Sequence, residues 1–415
     1  MNKGSRKRSR RGLLAILSFS LATAGMTACW DNRELNELGI VSGSAYDRED
    51  GQWVTTYQII NPSATSSQGG GGGGQGGPSP PFLTFTERGS TIMEAVARSN
   101  LTSTRQLYFA HSRITVINEK VAREGVAQLL DLFLRKPDAS ETVNVFLSER
   151  RAGDILNQLM QITKNQGTGI QLMIQQESEL TSYYQGIKMF ELSMALSSES
   201  HCAAIPEIKL TNREVINKIQ EAESTDLPTR IALGRLGILK KDRFIGWMSD
   251  REAFGLSFMT DKINSAIIPF TSDPEHNEKL DASANLMDSK TIVRPVWEGD
   301  HFVMDIDVKG NAMLLELKGK ADLSKPAEVS KFERNIEQNI LEYINRSWRT
   351  VKKLGADVTM FAPLIHRAFP KRWEHIEKEG NWDTVFQEIE IRPRVSISID
   401  RFGLSSKSYK SVEQD

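Results

Sequence analysis

The chain has 415 residues, 39% of them hydrophobic and 25% charged, more than one hydrophobic core usually organises, so two or three domains are expected. Its formal net charge of −1 hides an asymmetry: residues 1–28 carry Lys3, Arg6, Lys7, Arg8, Arg10 and Arg11 and no acid, and without them 46 basic residues face 53 acids, a net of −7. A body that acidic argues against nucleic acid, or electrostatic adhesion to an anionic membrane, as its business, and it leaves the basic cluster to targeting.

MNKGSRKRSRR is the charged start of an export signal, and GLLAILSFSLATAG is its apolar run. That run falls short of the roughly 20 apolar residues of a spanning helix, and no later stretch comes close. The signal ends in TAGMTACWDNREL, which places one of only two cysteines at its foot. Two cleavage readings compete. Ala22-Thr23-Ala24 fits an ordinary secretory site that would free a chain starting near Gly25. Met26-Thr27-Ala28-Cys29 resembles the bacterial lipobox, in which the cysteine sulfur receives a diacylglyceryl group and then becomes the first residue. A soft thiolate attacks a lipid donor better than a hydroxyl does, and two or more acyl chains anchor where one alone does not. A disulfide from Cys29 would have to reach Cys202; with Cys29 lipidated, Cys202 is unpaired.

NELGIVSGSAYDRED and QWVTTYQII read as two strands around an Asp-Gly turn, the second alternating at Trp53, Thr55, Tyr57 and Ile59. NPSATSSQGGGGGGQGGPSPP, residues 61–81, cannot bury a core and is expected to be a flexible loop. It is not a phosphate loop, because neither Lys-Ser nor Lys-Thr follows it. GSTIMEAVARSN predicts a capped helix, LYFAHSRITVI a buried strand and EKVAREGVAQLLDLFLRKP a helix stopped by Pro137. ETVNVFLSE and RAGDILNQLM add another strand and helix, so residues 82–205 read as an α/β unit, domain II.

RIALGRLGILKKDRFIGWMSDREAFGLSFM predicts a strand, a Lys-Asp turn, a short strand and a helix from Ser249-Asp250. Partner strands are not obvious nearby and could come from residues 38–60, giving a discontinuous domain I of 29–62 and 206–278. In the last third, domain III (279–405), Phe302, Met304, Ile306 and Val308 alternate along a strand ending at Gly310, and AMLLELKG continues the sheet. A long amphipathic helix is predicted over 327–354, with Phe332, Ile336, Ile340, Ile344 and Val351 on one stripe and Gly355 as its stop. FAPLIHRAFPKRWEHI follows as helix, VSISID as a strand, and 406–415 as a polar tail.

Three blocks, CWDNRELNELGIVSGSAYD, QLYFAHSRITVINEKVAREGVAQLLDLFLRKPD, and KKLGADVTMFAPLIHRAFPKRWEHI with its closing VSISIDRFG, together with FIGWMSDREAFG, resemble the Ger(x)C lipoprotein family, the C subunits of spore germinant receptors. The resemblance implies a mixed α/β fold of three mixed-sheet domains in an elongated arrangement, the first discontinuous. It implies a lipid on Cys29, a place on the outer surface of the spore inner membrane, and action with A and B membrane subunits in a complex that senses small nutrients such as amino acids or sugars. The glycine-rich 68–77 stretch departs from the family pattern.

No catalytic pattern competes with this. His111, His201, His276, His301, His366 and His375 make no His-Glu-x-x-His pair, and no Gly-x-Ser-x-Gly or Cys-x-x-Cys occurs. His111 reads as a satisfied strand histidine, and Asp305 and Asp307 as exposed alternate strand positions rather than paired carboxylates. The expectation is a non-enzymatic, lipid-anchored subunit with no metal or cofactor, no nucleic acid partner and no direct hold on the nutrient. The alternative is an extracytoplasmic solute-binding lipoprotein of a transporter, which would show two similar lobes and a hinge cleft.

Overall fold

The computed structural model describes residues 37–61, 80–136, 139–163, 165–274, 280–318 and 323–401. The signal segment 1–28, Cys29, nearly all of the 63–81 loop and the 406–415 tail lie outside the described residues. What is described is the mixed α/β architecture expected, built on two sheets.

The first sheet has the order β3-β2-β1-β5-β6-β7-β8-β9, with β4 also paired to β1. β1 (Leu38–Glu49) and β2 (Gln52–Ile60) form a hairpin whose two turn residues, Asp50 and Gly51, both have positive φ, the mirror-image geometry that matches strand twist. β3 (Phe82–Gly89) pairs antiparallel with β2. β4 (Gln106–Tyr108) and β5 (Ile114–Asn118) run parallel to β1, and β6 (Asn144–Ser148) runs parallel to β5. β7 (Cys202–Leu210) joins β6 at the single pair Leu147–Glu207, and β8 (Ile231–Lys240) and β9 (Arg243–Met248) complete an antiparallel set.

Parallel strands need helical crossovers, and these cover both faces. α1 (Ile92–Ser99), α2 (Glu119–Glu124), α3 (Ala127–Arg135) and α6 (Met189–Ser197) bury Ile92, Val121, Leu129 and Leu192 with Ile117 and Leu147. α4 (Ala152–Asn157) and α5 (Gln166–Leu180) bury Ile155, Leu156, Ile170 and Ile174 with Ile114, Val116 and Phe146. β5 thus faces apolar layers on both sides, which is why it reads as an unbroken apolar run. α7 (Ile219–Ala222) lies between β7 and β8.

α8 (Asp250–Met259), opened by a Ser249–Glu252 capping box, leads to the second sheet. That sheet has the order β10 (Ala266–Phe270), β11 (Ala282–Glu298), β12 (His301–Leu317), β13 (Glu390–Arg401), with β13 parallel to β12 and the rest antiparallel. α9 (Pro326–Leu354) crosses it, burying Phe332, Ile336, Ile340, Ile344 and Val351, and Gly355 ends it at φ 62°, within one residue of the predicted helix. α10 (Phe361–Ala368), α11 (Pro370–Glu379) and α12 (Trp382–Glu388) close one end.

Several expectations are corrected. Residues 38–60 pair with 82–89, 106–108 and 114–118, while β8 and β9 find their partners in β7 and each other; the strands of 82–205 therefore extend the same sheet rather than building their own. β10 lies before the expected 278/279 boundary yet pairs with β11, so it belongs to the second sheet. The LYFAHSRITVI strand is two strands broken at 109–113, which leaves His111 on an exposed turn rather than in a strand. The helix expected over 119–137 is two, because Gly125 adopts φ 133° and a side chain there would strike Asp242. β12 runs through Gly310 instead of stopping there.

Candidate functional site

Cys29, the one residue to which the sequence assigns a modification, lies outside the described residues. Cys202, on β7, is a free buried thiol, and burial pushes it up to about 12, so it is no nucleophile near neutral pH. Two of the described histidines, His301 and His375, line one cleft. His366 Nδ1 sits 2.8 Å from Glu199 Oε1 and its ring stacks on Trp373, whereas His375 pairs with Glu379 one turn along α11. His111 packs edge-on to Tyr108. Among the described residues no three His, Cys, Asp or Glu side chains group as a metal site.

Asp305 and Asp307 differ from the open strand positions expected. They lie half-buried on the outer face of the second sheet beneath arginines: Arg394 Nε is 2.6 Å from Asp307, Arg294 pairs with the same carboxylate, and Arg392 and Arg394 reach Asp305 at 3.5 and 3.3 Å. The hydrogen bond from Arg394 holds the Asp307 carboxyl below its ordinary range. The arrangement is a cross-strand charge ladder, not an acid–base pair.

Sequence reasoning missed the buried polar groups, which are spread over segments far apart in the chain. Asp47, on β1, accepts hydrogen bonds from the Ala152 and Gly153 amides at 2.8 and 2.9 Å, holding the start of α4. Burial pushes its carboxyl up to about 6. Ser42 Oγ donates to Gln58 Oε1, and Gln58 Nε2 donates to Gln166 Oε1 at 2.7 Å, so three buried polar side chains tie the β1–β2 hairpin to α5. Burial would raise Glu207, but bonds to Arg235 outweigh it and hold the carboxyl low. Each cluster satisfies its own members and joins distant segments. None places a nucleophile beside a base.

Two clefts, each of about 440 Å³, open at the surface. One lies between α1 and α3 above Trp53, lined by Ile92, Met93 and Leu132, with the Asp131–Arg135 pair at its rim. The other is at the β11–β12 turn, where Arg372 stacks 3.8 Å over Trp297 beside His301 and Lys371. The first can accept an apolar side chain from a partner; neither carries a catalytic constellation. Among the described residues no helix is long and apolar enough to cross a membrane.

Comparison with known proteins agrees with a chain of this construction. A family model described as the spore germination protein N-terminal domain matches residues 31–210, and one described as spore germination B3/GerAC like, C-terminal, matches residues 235–403. Spore germination protein KC of Bacillus subtilis (strain 168) is 25% identical over 98% of this chain and 99% of its own length. Spore germination protein B3 of the same organism is 24% identical over 95% of this chain and 98% of its own. The crystal structure of the GerBC protein covers 86% of this chain and 97% of its own with a TM-score of 0.53, at 19% identity, a likeness of fold.

Proposed function

Since the chain belongs to the Ger(x)C family of germinant receptor C subunits, we propose that it is the lipid-anchored C subunit of a nutrient germinant receptor, acting with A and B membrane subunits to start spore germination. The observation that carries this reading is the succession of the two family matches, in order, over most of the chain, the first opening two residues after Cys29. A diacylglyceryl group on Cys29 confines the body to a thin shell at the extracytoplasmic face of the membrane, the outer surface of the spore inner membrane, and so raises its effective concentration for integral partners. Its role is non-enzymatic: the body offers docking surfaces, of which the apolar cleft between α1 and α3 is one, and leaves the nutrient to the membrane subunits.

Mass spectrometry of the N-terminal peptide from native spores should show Cys29 as the first residue, carrying its acyl chains. Cys29→Ala should abolish that species and impair the response to a nutrient germinant. An unmodified peptide beginning near Gly25 would overturn the anchor, and a normal germination response in the variant would overturn its role.

A further inference from the structure

We propose that the tip of the first sheet where β1 begins, marked by Leu83, Leu101 and Arg105, is the surface that this protein lays on the lipid bilayer. This rests on the Cys29 anchor proposed above and adds an orientation to it.

The tether points to this end. Leu38, the first residue of β1, follows Cys29 by nine residues, and that length of chain spans no more than about 30 Å however it is arranged. The neighbouring connection comes out at the same end, because β2 finishes and β3 starts there, Ile60 opposite Phe82. The other end of the hairpin, at Asp50 and Gly51, lies about 36 Å away at a strand's rise per residue.

The surface at the tip is apolar where water should meet it. Leu101, just past the end of α1, is 84% exposed, and Leu83, on β3, is 46% exposed. Leu83 pairs with Ile59, which belongs to a small cluster with Val41, Tyr57, Leu107 and Phe109, joined by Val96 of α1. Leu83 thus prolongs a buried cluster outwards, and Leu101 follows the end of α1, a helix that starts beside Gly89 at the far end of β3 and reaches the cluster at Val96. Single exposed leucines are ordinary, but two at the end nearest an acyl anchor form a contact. Arg105 stands at the start of β1: Gly39 lies against Ile59 and the Arg105 Cβ, with no side chain of its own in the gap. A cation at that depth suits lipid phosphate. The body's net acidity does not oppose the contact, since the acyl chains supply proximity and the leucines supply adhesion.

The test uses the full lipidated chain bound to vesicles of phosphatidylethanolamine and phosphatidylglycerol, with a nitrobenzoxadiazole label on L101C, L83C or, at the far end of the hairpin, Q52C. Cys29 is acylated and Cys202 is buried, so only the introduced thiol takes the label, and all three positions lie outside the core. Spin-labelled lipid should quench emission at 101 and 83 at least about twofold, as expected of side chains within several ångströms of the headgroups, and should leave position 52 bright. Vesicle-bound protein with 101 and 83 unquenched, or with 52 quenched equally, overturns the orientation. Protein that does not float with the vesicles overturns the anchor itself, and the orientation with it.

Discussion

Asp47 and Asp357 each lie in the interior with no cation directly bonded to them, and each is held by the backbone it organises. Asp357 accepts from Ser200 Oγ, from Thr359 Oγ1 and from the Phe361 and Ala362 amides, so one carboxylate starts α10 and ties it to the segment before β7. It stands in the Gly-Ala-Asp block that the sequence comparison singles out, and its partner Ser200 is 157 residues away, which no local pattern reveals. Asp47 has a measurable signature. Its ordinary carboxyl value of 3.8 is pushed by burial up to about 6 in the folded chain. The folded state therefore holds this proton more tightly than the unfolded state, and its contribution to stability falls as pH rises from about 4 to about 6, then levels off. Asp47→Asn removes that dependence while setting an amide group against one of the two backbone donors. Relative to the wild type, the variant should gain up to about 3 kcal/mol on moving from pH 4 to pH 7, read from urea midpoints at the two pH values. A difference that does not change with pH would show that the carboxyl titrates normally.

Among the elements, legibility follows the strength of local periodicity. α9 was legible almost to the residue because one apolar stripe from Phe332 to Val351 runs along it and a glycine stops it; the Ser249 cap and the Asp50-Gly51 turn were legible because their chemistry is local. β3 and β11 were not. β3 is an edge strand with Thr84, Thr86 and Arg88 among its residues, and β11 buries few of its residues and carries Asp288, Lys290, Arg294 and Pro295, so neither presents a clean alternation. The break at Gly125 lies against a distant residue, Asp242, and leaves only the glycine as a local sign, while the chain leaving 109–113 is held by the Arg113 amide donating to the Ser42 carbonyl. Gly255 is such a contact between elements. It sits on α8 where that helix meets α9, and a Cβ there would run into the Tyr343 carbonyl. Backbone cannot move aside as a side-chain end can, so Gly255→Ala should destabilise the protein by about 3 kcal/mol, measured by thermal or urea unfolding. Gly246→Ala, which meets only a terminal methyl of Leu354, should cost much less. Equal effects of the two substitutions would mean that the helices separate without penalty.

At the scale of the molecule, the two sheets share one interior. Cys202, Leu236, Ile238 and Met248 from the first sheet pack in the same apolar cluster as Phe254 and Phe258 of α8 and Ile336, Ile340 and Ile344 of α9. The Ser200–Asp357 and Glu199–His366 contacts cross the same seam. At 206–278 the chain therefore serves both sheets: β8 hydrogen-bonds backwards to β7 while Leu236 and Ile238 on it pack with the second sheet. A break in the chain just before β8 should therefore leave the molecule whole. Residues 223–226 are exposed and follow α7, so a protease site placed after Ser224 can be cut in the folded protein. The two fragments, each holding one partner of the β7–β8 ladder, should co-elute on size exclusion in native buffer and separate only in denaturant. Buried apolar surface of this extent, together with a full strand pairing, outweighs the entropy of releasing one loop closure. Separation of the fragments without denaturant would mean that the seam is an interface between independent domains.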